Sequence, residues 1–140
     1  MVVRPDVAGA HLARATTWLD DSERLFGQPP AEFVKAAKDR DLAIFYLFLA
    51  IHECVDLAAH WVADEGWSPP DDAGSTFDVL ARRGAIDRDA AEQLRLAAGL
   101  RNRIAHGYAL LDYRRVQTEA NAGIPALRGF LALVAREAGL

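Results

Sequence analysis

The sequence predicts an all-α protein, an antiparallel bundle of four main helices with one short helix inserted. Three observations carry that prediction. Alanine and leucine dominate an apolar half of the composition, while valine, isoleucine and threonine are scattered, which favours helix over sheet. Apolar residues recur at three- and four-residue intervals along the longer segments, the period of a helix face. Glycine and proline clusters separate those segments, and no internal repeat or low-complexity tract is evident. A chain of 140 residues suffices for one compact domain, spanning 1–140, with its own core.

The elements follow in order. The first helix is expected from about Asp6 to Phe26, with Ala8, Leu12, Ala15 and Leu19 on one apolar face. Gly27 and Pro29-Pro30 end it, and "AEFVKAA" adds a short turn. Asp39 is the expected N-cap of a long second helix reaching about Glu65. Gly66 and "SPPDDAG" form the clearest loop. Ser75, followed three residues later by Asp78, resembles a capping box and opens a short helix that stops at Gly84. Asp87 caps the next helix, "RDAAEQLRLAAGLRNRIA". A last amphipathic helix covers roughly Ala122 to Ala138, with Leu127, Phe130, Leu131 and Val134 inward and Pro125 accepted in its first turn.

Composition and charge exclude several function classes. The single cysteine, Cys54, cannot form an internal disulfide and reads as a buried thiol in a reducing, cytoplasmic protein. "MVVRPDVAGA" lacks a signal-peptide pattern. The longest apolar run, Leu42 to Ile51, is too short to span a bilayer and continues into Glu53 and Asp56, so a buried core helix is expected and no membrane partner. The net charge of −4 argues against broad nonspecific nucleic-acid binding. Residues 95–115 nevertheless hold five arginines against Asp112 alone, a local +4 on a body carrying −8. Such a patch suits a phosphate backbone or an acidic partner, and equally a solvated arginine face.

That patch contains "LRNRIAHGYALLDY", Leu100 to Tyr113. At about 100° per residue, Asn102 and His106 share one helix face, and Arg101 and Tyr108 share a stripe two turns apart. Arg101 and His106 diverge by roughly 140°. For both to act on one substrate, either the helix breaks near Gly107 or two chains supply the site, as a symmetric homodimer does. Histidine suits proton transfer near neutral pH, arginine binds phosphate oxygens bidentately, and asparagine fixes an imidazole or a phosphate. This set suits cleavage of RNA, whose 2′-hydroxyl is an internal nucleophile, and makes DNA a poor substrate. No carboxylate or His/Cys cluster marks a metal site, and neither metal nor cofactor is expected.

"LRNRIAHGY", with "LDYRRV" after it, resembles the Arg-x-x-x-x-His-x-Tyr motif of the HEPN superfamily, and specifically the HepT-like toxins. "LFLAIHECVDLAAHWVADEGWSPP" and "TFDVLARRGAIDRDAAEQL" resemble that family's second helix with its loop and its entry to the motif helix, so the likeness spans about residues 39–116. The resemblance implies a helical-bundle dimer acting as a metal-independent ribonuclease, toxic when free. It also implies an MNT-type nucleotidyltransferase antitoxin that adenylylates the motif tyrosine. Carried over by position, Arg101 and His106 are the catalytic pair, Asn102 is the polar residue that follows the arginine, and Tyr108 is the modification site. The alternative is a non-catalytic HEPN module, a regulatory platform for a nucleotidyltransferase.

Around the motif, Glu53 and Asp56 need cationic partners if buried, and Arg101 or Arg103 are the expected ones. Those contacts would either support the catalytic arginine or be ordinary ion pairs. Arg114 and Arg115 would extend a track for RNA phosphates, or form a solvated helix end. His11, His52 and His60 read as core or surface residues. The tryptophans read as core or interface fillers, Trp67 the most exposed. Tyr113 reads as packing.

Overall fold

Helices make up most of residues 4–140, the part that the computed structural model describes, and no strand occurs among them. The order is α1 (Pro5–Phe26), α2 (Pro30–Lys35), α3 (Ala37–Asp64), α4 (Ala73–Arg82), α5 (Arg88–Gly107), a 3-10 turn (Tyr108–Leu110) and α6 (Tyr113–Glu137). The N-terminal stretch read for a leader begins at Met1, outside the described residues.

Contacts between helix ends fix the antiparallel arrangement. The Arg4 N–H donates to Asp64 at 3.3 Å, joining the start of α1 to the end of α3. Tyr108, just past α5, meets Asp41 near the start of α3. Arg128 of α6 pairs with Asp20 and Glu23 of α1, each at 2.8 Å. The long helices α1, α3, α5 and α6 form the bundle, and α2 and α4 are the short inserts.

Helix α3 touches all five other helices. It is long and apolar enough to cross a membrane by length and composition, yet half of its most apolar window is buried against neighbouring helices. That is the behaviour of a core helix. Phe26, Phe33, Phe77, Leu47, Ile51, Leu57 and Leu94 are among the largest fully buried side chains, and one apolar cluster draws on every helix. The Cys54 thiol lies within it, and burial pushes its pKa up.

Several local expectations change. Helix α6 begins at Tyr113 rather than Ala122, because Asp112 caps it, accepting from Arg115 N–H at 3.2 Å. Val116, Ala120 and Ile124 then carry the buried stripe of Leu127 back about three turns. Pro125 consequently lies inside the helix, not in its first turn. Helix α3 starts at Ala37 with no side-chain cap, and Asp39 sits in its first turn, where a negative charge still favours the dipole. The cap of α4 is Asp72, which accepts the Ser75 N–H at 2.8 Å. Asp78 instead pairs with Arg95 of α5. "AEFVKAA" contributes a six-residue helix whose Phe33 is fully buried. Trp67 is partly buried, with the Arg83 guanidinium 5.3 Å from its ring centre.

One buried polar group explains how α1 ends. The Gln117 Nε2 of α6 donates to the carbonyls of Phe26 at 3.0 Å and Gln28 at 2.7 Å. Asn121 Nδ2 adds a 3.3 Å contact to Phe26. Carbonyls at the end of α1 that have no partner within the helix are thus satisfied from α6.

Candidate functional site

Helix α5 presents the motif because its own sequence fixes its start and its buried face. Asp87 accepts the Ala90 N–H at 2.7 Å, and Ala91, Leu94, Ala98 and Ile104 turn inward. The polar residues of the motif then fall on two separate surfaces.

Arg101 leans toward α3. One guanidinium nitrogen donates to Asn102 Oδ1 at 2.9 Å, and the other lies 3.5 Å from Nδ1 of His52. On its far side His52 Nε2 is 3.6 Å from Asp56, and the Phe48 ring stacks on its imidazole with centroids 6.4 Å apart. Arg101 has no carboxylate partner among the described residues. Its neighbours differ: Arg95 pairs with Asp78, while Arg103 and Arg115 share Glu119. Two carboxylates thus partner three of the five arginines, while Arg101 and Arg114 have none among the described residues, the latter exposed at the start of α6.

His106 faces the other way, and Asn102, bonded to Arg101, lies at the edge between the two surfaces. They line an open cleft of about 470 Å³ between α5 and α6, together with Arg103, Leu111, Arg115 and Glu119. The structure thus separates Arg101 from His106 as the helical angles require. The break in α5 comes at Gly107, after the histidine, so it does not bring the pair together. Gly107 has φ −144°, which any residue adopts, and a Cβ there would meet nothing within 4 Å. Glycine is not required for this break.

Tyr108 returns to the α3 side, two turns beyond Arg101. Its hydroxyl donates to Asp41 Oδ1 at 2.7 Å. Arg40 Nε donates to the same oxygen at 3.0 Å, while its Nη1 holds the Val34 carbonyl at 2.9 Å and its guanidinium covers the Tyr113 ring at 3.9 Å. Burial and then the bond to Asp41 push the Tyr108 pKa up to about 12. The Tyr108 hydroxyl, with Arg40 assisting, holds the Asp41 carboxyl below the usual carboxylate range. Tyr113 packs beneath Arg40, as expected.

Glu53 and Asp56 do not contact Arg101 or Arg103. Glu53 is bound by His11 and by Arg14 Nε at 2.7 Å, both from α1, because its place on α3 faces α1 rather than α5. Burial raises its pKa, but the bonds from Arg14 and His11 outweigh that and hold it below its ordinary value. Asp56 meets His52 instead. Folding does place ligand atoms of His11, Glu53 and Asp56 within 4.8 Å of one another, a grouping invisible in the sequence. The Arg14 guanidinium on Glu53 already compensates that charge, so the group acts as an ion-pair joint between α1 and α3.

Two site residues, His52 and Asp41, escaped sequence reasoning. His52 lies four residues after Phe48 and four before Asp56, on the same stripe of α3. That spacing was readable, but only the packing of α5 on α3 shows what the stripe faces.

Comparison with known proteins bears on the family and the fold. The family described as "Ribonuclease HepT-like" matches residues 17–134. An Archaeoglobus fulgidus protein described as "Putative RNase" is 37% identical over 70 residues, 49% of this chain and 52% of its own length. The matched segment therefore spans about half of that relative. A solved toxin–antitoxin complex with AMP-PNP superposes with a TM-score of 0.85 at 19% identity, covering 94% of this chain and 98% of that one. The tri-AMPylated Shewanella oneidensis HEPN toxin, in complex with MNT antitoxin, gives 0.84 at 20% identity with the same coverage. At these identities the two structures establish a shared fold.

Proposed function

We propose a function from one premise: the chain belongs to the HepT-like ribonuclease family. It is the toxin of a toxin–antitoxin pair, a homodimeric endoribonuclease that works without metal. Arg101 binds the scissile phosphate and stabilises charge on its oxygens in the transition state. His106, supplied by the second chain, removes the proton of the ribose 2′-hydroxyl. The 2′-oxygen attacks phosphorus and the 5′-oxygen leaves, taking a proton from water, so that a 2′,3′-cyclic phosphate and a free 5′-hydroxyl remain. Asn102 orients the Arg101 guanidinium, which donates to its side-chain oxygen. Arg114 and Arg115 border the site as contacts for flanking phosphates.

The observation that carries this reading is the uncompensated guanidinium of Arg101. Its neighbours Arg95, Arg103 and Arg115 are bound to carboxylates, whereas Arg101 is held in place by an amide and left with its charge for a phosphate. Two chains are invoked because Arg101 and His106 of one chain open onto different surfaces.

The partner is an MNT-type nucleotidyltransferase antitoxin that adds AMP to Tyr108. Tyr108, just past α5, lies on the same α3 side as Arg101, although its partner Asp41 is about three turns along α3 from the His52 that Arg101 approaches. AMP there adds negative charge and bulk to that face and repels the RNA backbone. Support comes from the two complexes described above, one of them AMPylated.

The test is cleavage of defined RNAs by purified protein in EDTA. The wild type should cut RNA and leave DNA intact, while His106→Ala and Arg101→Ala should each lose cleavage with the dimer preserved. Absence of cleavage at any protein concentration would favour the regulatory-platform alternative. Cleavage by a folded His106→Ala protein would remove the proposed mechanism.

A further inference from the structure

We propose that Asp41 is the proton acceptor in nucleotide transfer onto Tyr108, so that the toxin carries part of the machinery that silences it. This rests on the reading of Tyr108 as the modified residue and adds a catalytic role to a residue on a different helix.

The reacting atom is the Tyr108 hydroxyl oxygen. Its proton already points at Asp41 Oδ1, 2.7 Å away, and that is the only hydrogen bond the hydroxyl makes among the described residues. Both groups are reachable from solvent: Tyr108 is 38% exposed and the Asp41 side chain 47%. Beside them is an open hollow of about 360 Å³ walled by Phe45 and Phe48, with Phe45 more than half exposed. Aromatic walls next to a nucleophile suit the base of a purine nucleotide.

A base is needed here. With the Tyr108 pKa pushed up to about 12, almost no phenolate exists near neutral pH. The charged group facing the pair is Arg40 on α3, with the neutral Tyr113 ring of α6 behind it. Arg40 steadies Asp41 in its ionised form, which accepts a proton during the step without holding one beforehand. In the transfer, Tyr108 Oη attacks the α-phosphorus of ATP bound by the nucleotidyltransferase. The bond from that phosphorus to the bridging oxygen breaks, pyrophosphate leaves, and the hydroxyl proton passes to Asp41 and then to water. The product oxygen has no proton to donate, so the bond to Asp41 is lost, and two negative groups then face each other.

The sign of one substitution separates this role from simple electrostatics. Asp41→Asn keeps an oxygen to accept from Tyr108 but cannot take a proton. Removing the negative charge also eases ionisation of the tyrosine. If Asp41 only perturbs Tyr108, the asparagine variant is modified faster; if it accepts the proton, it is modified more slowly. The experiment measures AMP incorporation by intact mass for the wild type, Asp41→Asn, Asp41→Glu and Tyr108→Phe, each incubated with the nucleotidyltransferase partner and ATP, with thermal melting as the folding control. We expect Asp41→Asn to fall about a hundredfold, the usual contribution of a general base. Asp41→Glu should recover part of that loss, and Tyr108→Phe should gain no mass. An Asp41→Asn protein modified as fast as the wild type, or faster, overturns the role of Asp41 and leaves Tyr108 as the target. Equal mass gain in Tyr108→Phe, or none in the wild type, overturns the reading of Tyr108 and this inference with it.

Discussion

Arg101 differs from Arg95, Arg103 and Arg115 in having no carboxylate partner among the described residues. Arg95 and Arg103 tie helices together, and their removal should act on stability. Replacing Arg101 should act on RNA. Arg101→Lys keeps the charge but loses the planar fork, so single-turnover cleavage should slow by at least about tenfold with little change in melting temperature. Wild-type rates in that variant would mean that a point charge suffices. Glu53 lies at the opposite extreme, a half-buried carboxylate whose partners are on α1. Its pKa is held below the ordinary value, so the ion pair contributes stability at neutral pH. That contribution should disappear as pH falls below the normal carboxylate range and through the lowered value. Thermal melts of Glu53→Gln should show a loss on the order of 1–3 kcal/mol at neutral pH that shrinks on acidification. A loss independent of pH would deny the pair its role. These residue-level partners were only partly legible in the sequence. The helical angles placed Arg101 with Tyr108 and Asn102 with His106 correctly. They could not tell that Glu53 turns to Arg14 and His11, because a face on α3 acquires its neighbour only when the bundle closes.

At the scale of elements, α5 was the most readable segment and α6 the least. Asp87, the apolar stripe and the polar motif all agree over α5, so local and tertiary signals reinforce each other. The first two turns of α6 carry Arg114, Arg115, Thr118, Glu119 and Asn121, which hide the stripe of Val116, Ala120 and Ile124. Gln117 compounds the difficulty: an amide in a stripe of apolar residues looks like a surface position, yet it is 4% exposed and closes the end of α1. Gln117→Leu fits the stripe but leaves the Gln28 carbonyl unpaired and Phe26 with only the 3.3 Å contact from Asn121. It should cost about 1–3 kcal/mol, seen as a lower denaturant midpoint at unchanged slope, with RNA cleavage retained below the transition. An unchanged midpoint would mean that water satisfies those carbonyls equally well.

At the scale of the whole molecule, the fold sets a problem that one chain does not solve. Arg101 opens toward α3 and His106 toward the cleft between α5 and α6, and the regular helix between them holds them apart. In the proposed homodimer a two-fold axis would resolve this by bringing one chain's arginine surface against the other's histidine surface. The measurement that tests this most directly is activity of a heterodimer purified from differently tagged Arg101→Ala and His106→Ala chains, each inactive as a homodimer. If the site is shared, one of the two sites in the heterodimer is intact, and about half of wild-type RNA cleavage should return. A heterodimer as inactive as its parents would contradict the composite site and return both catalytic roles to a single chain.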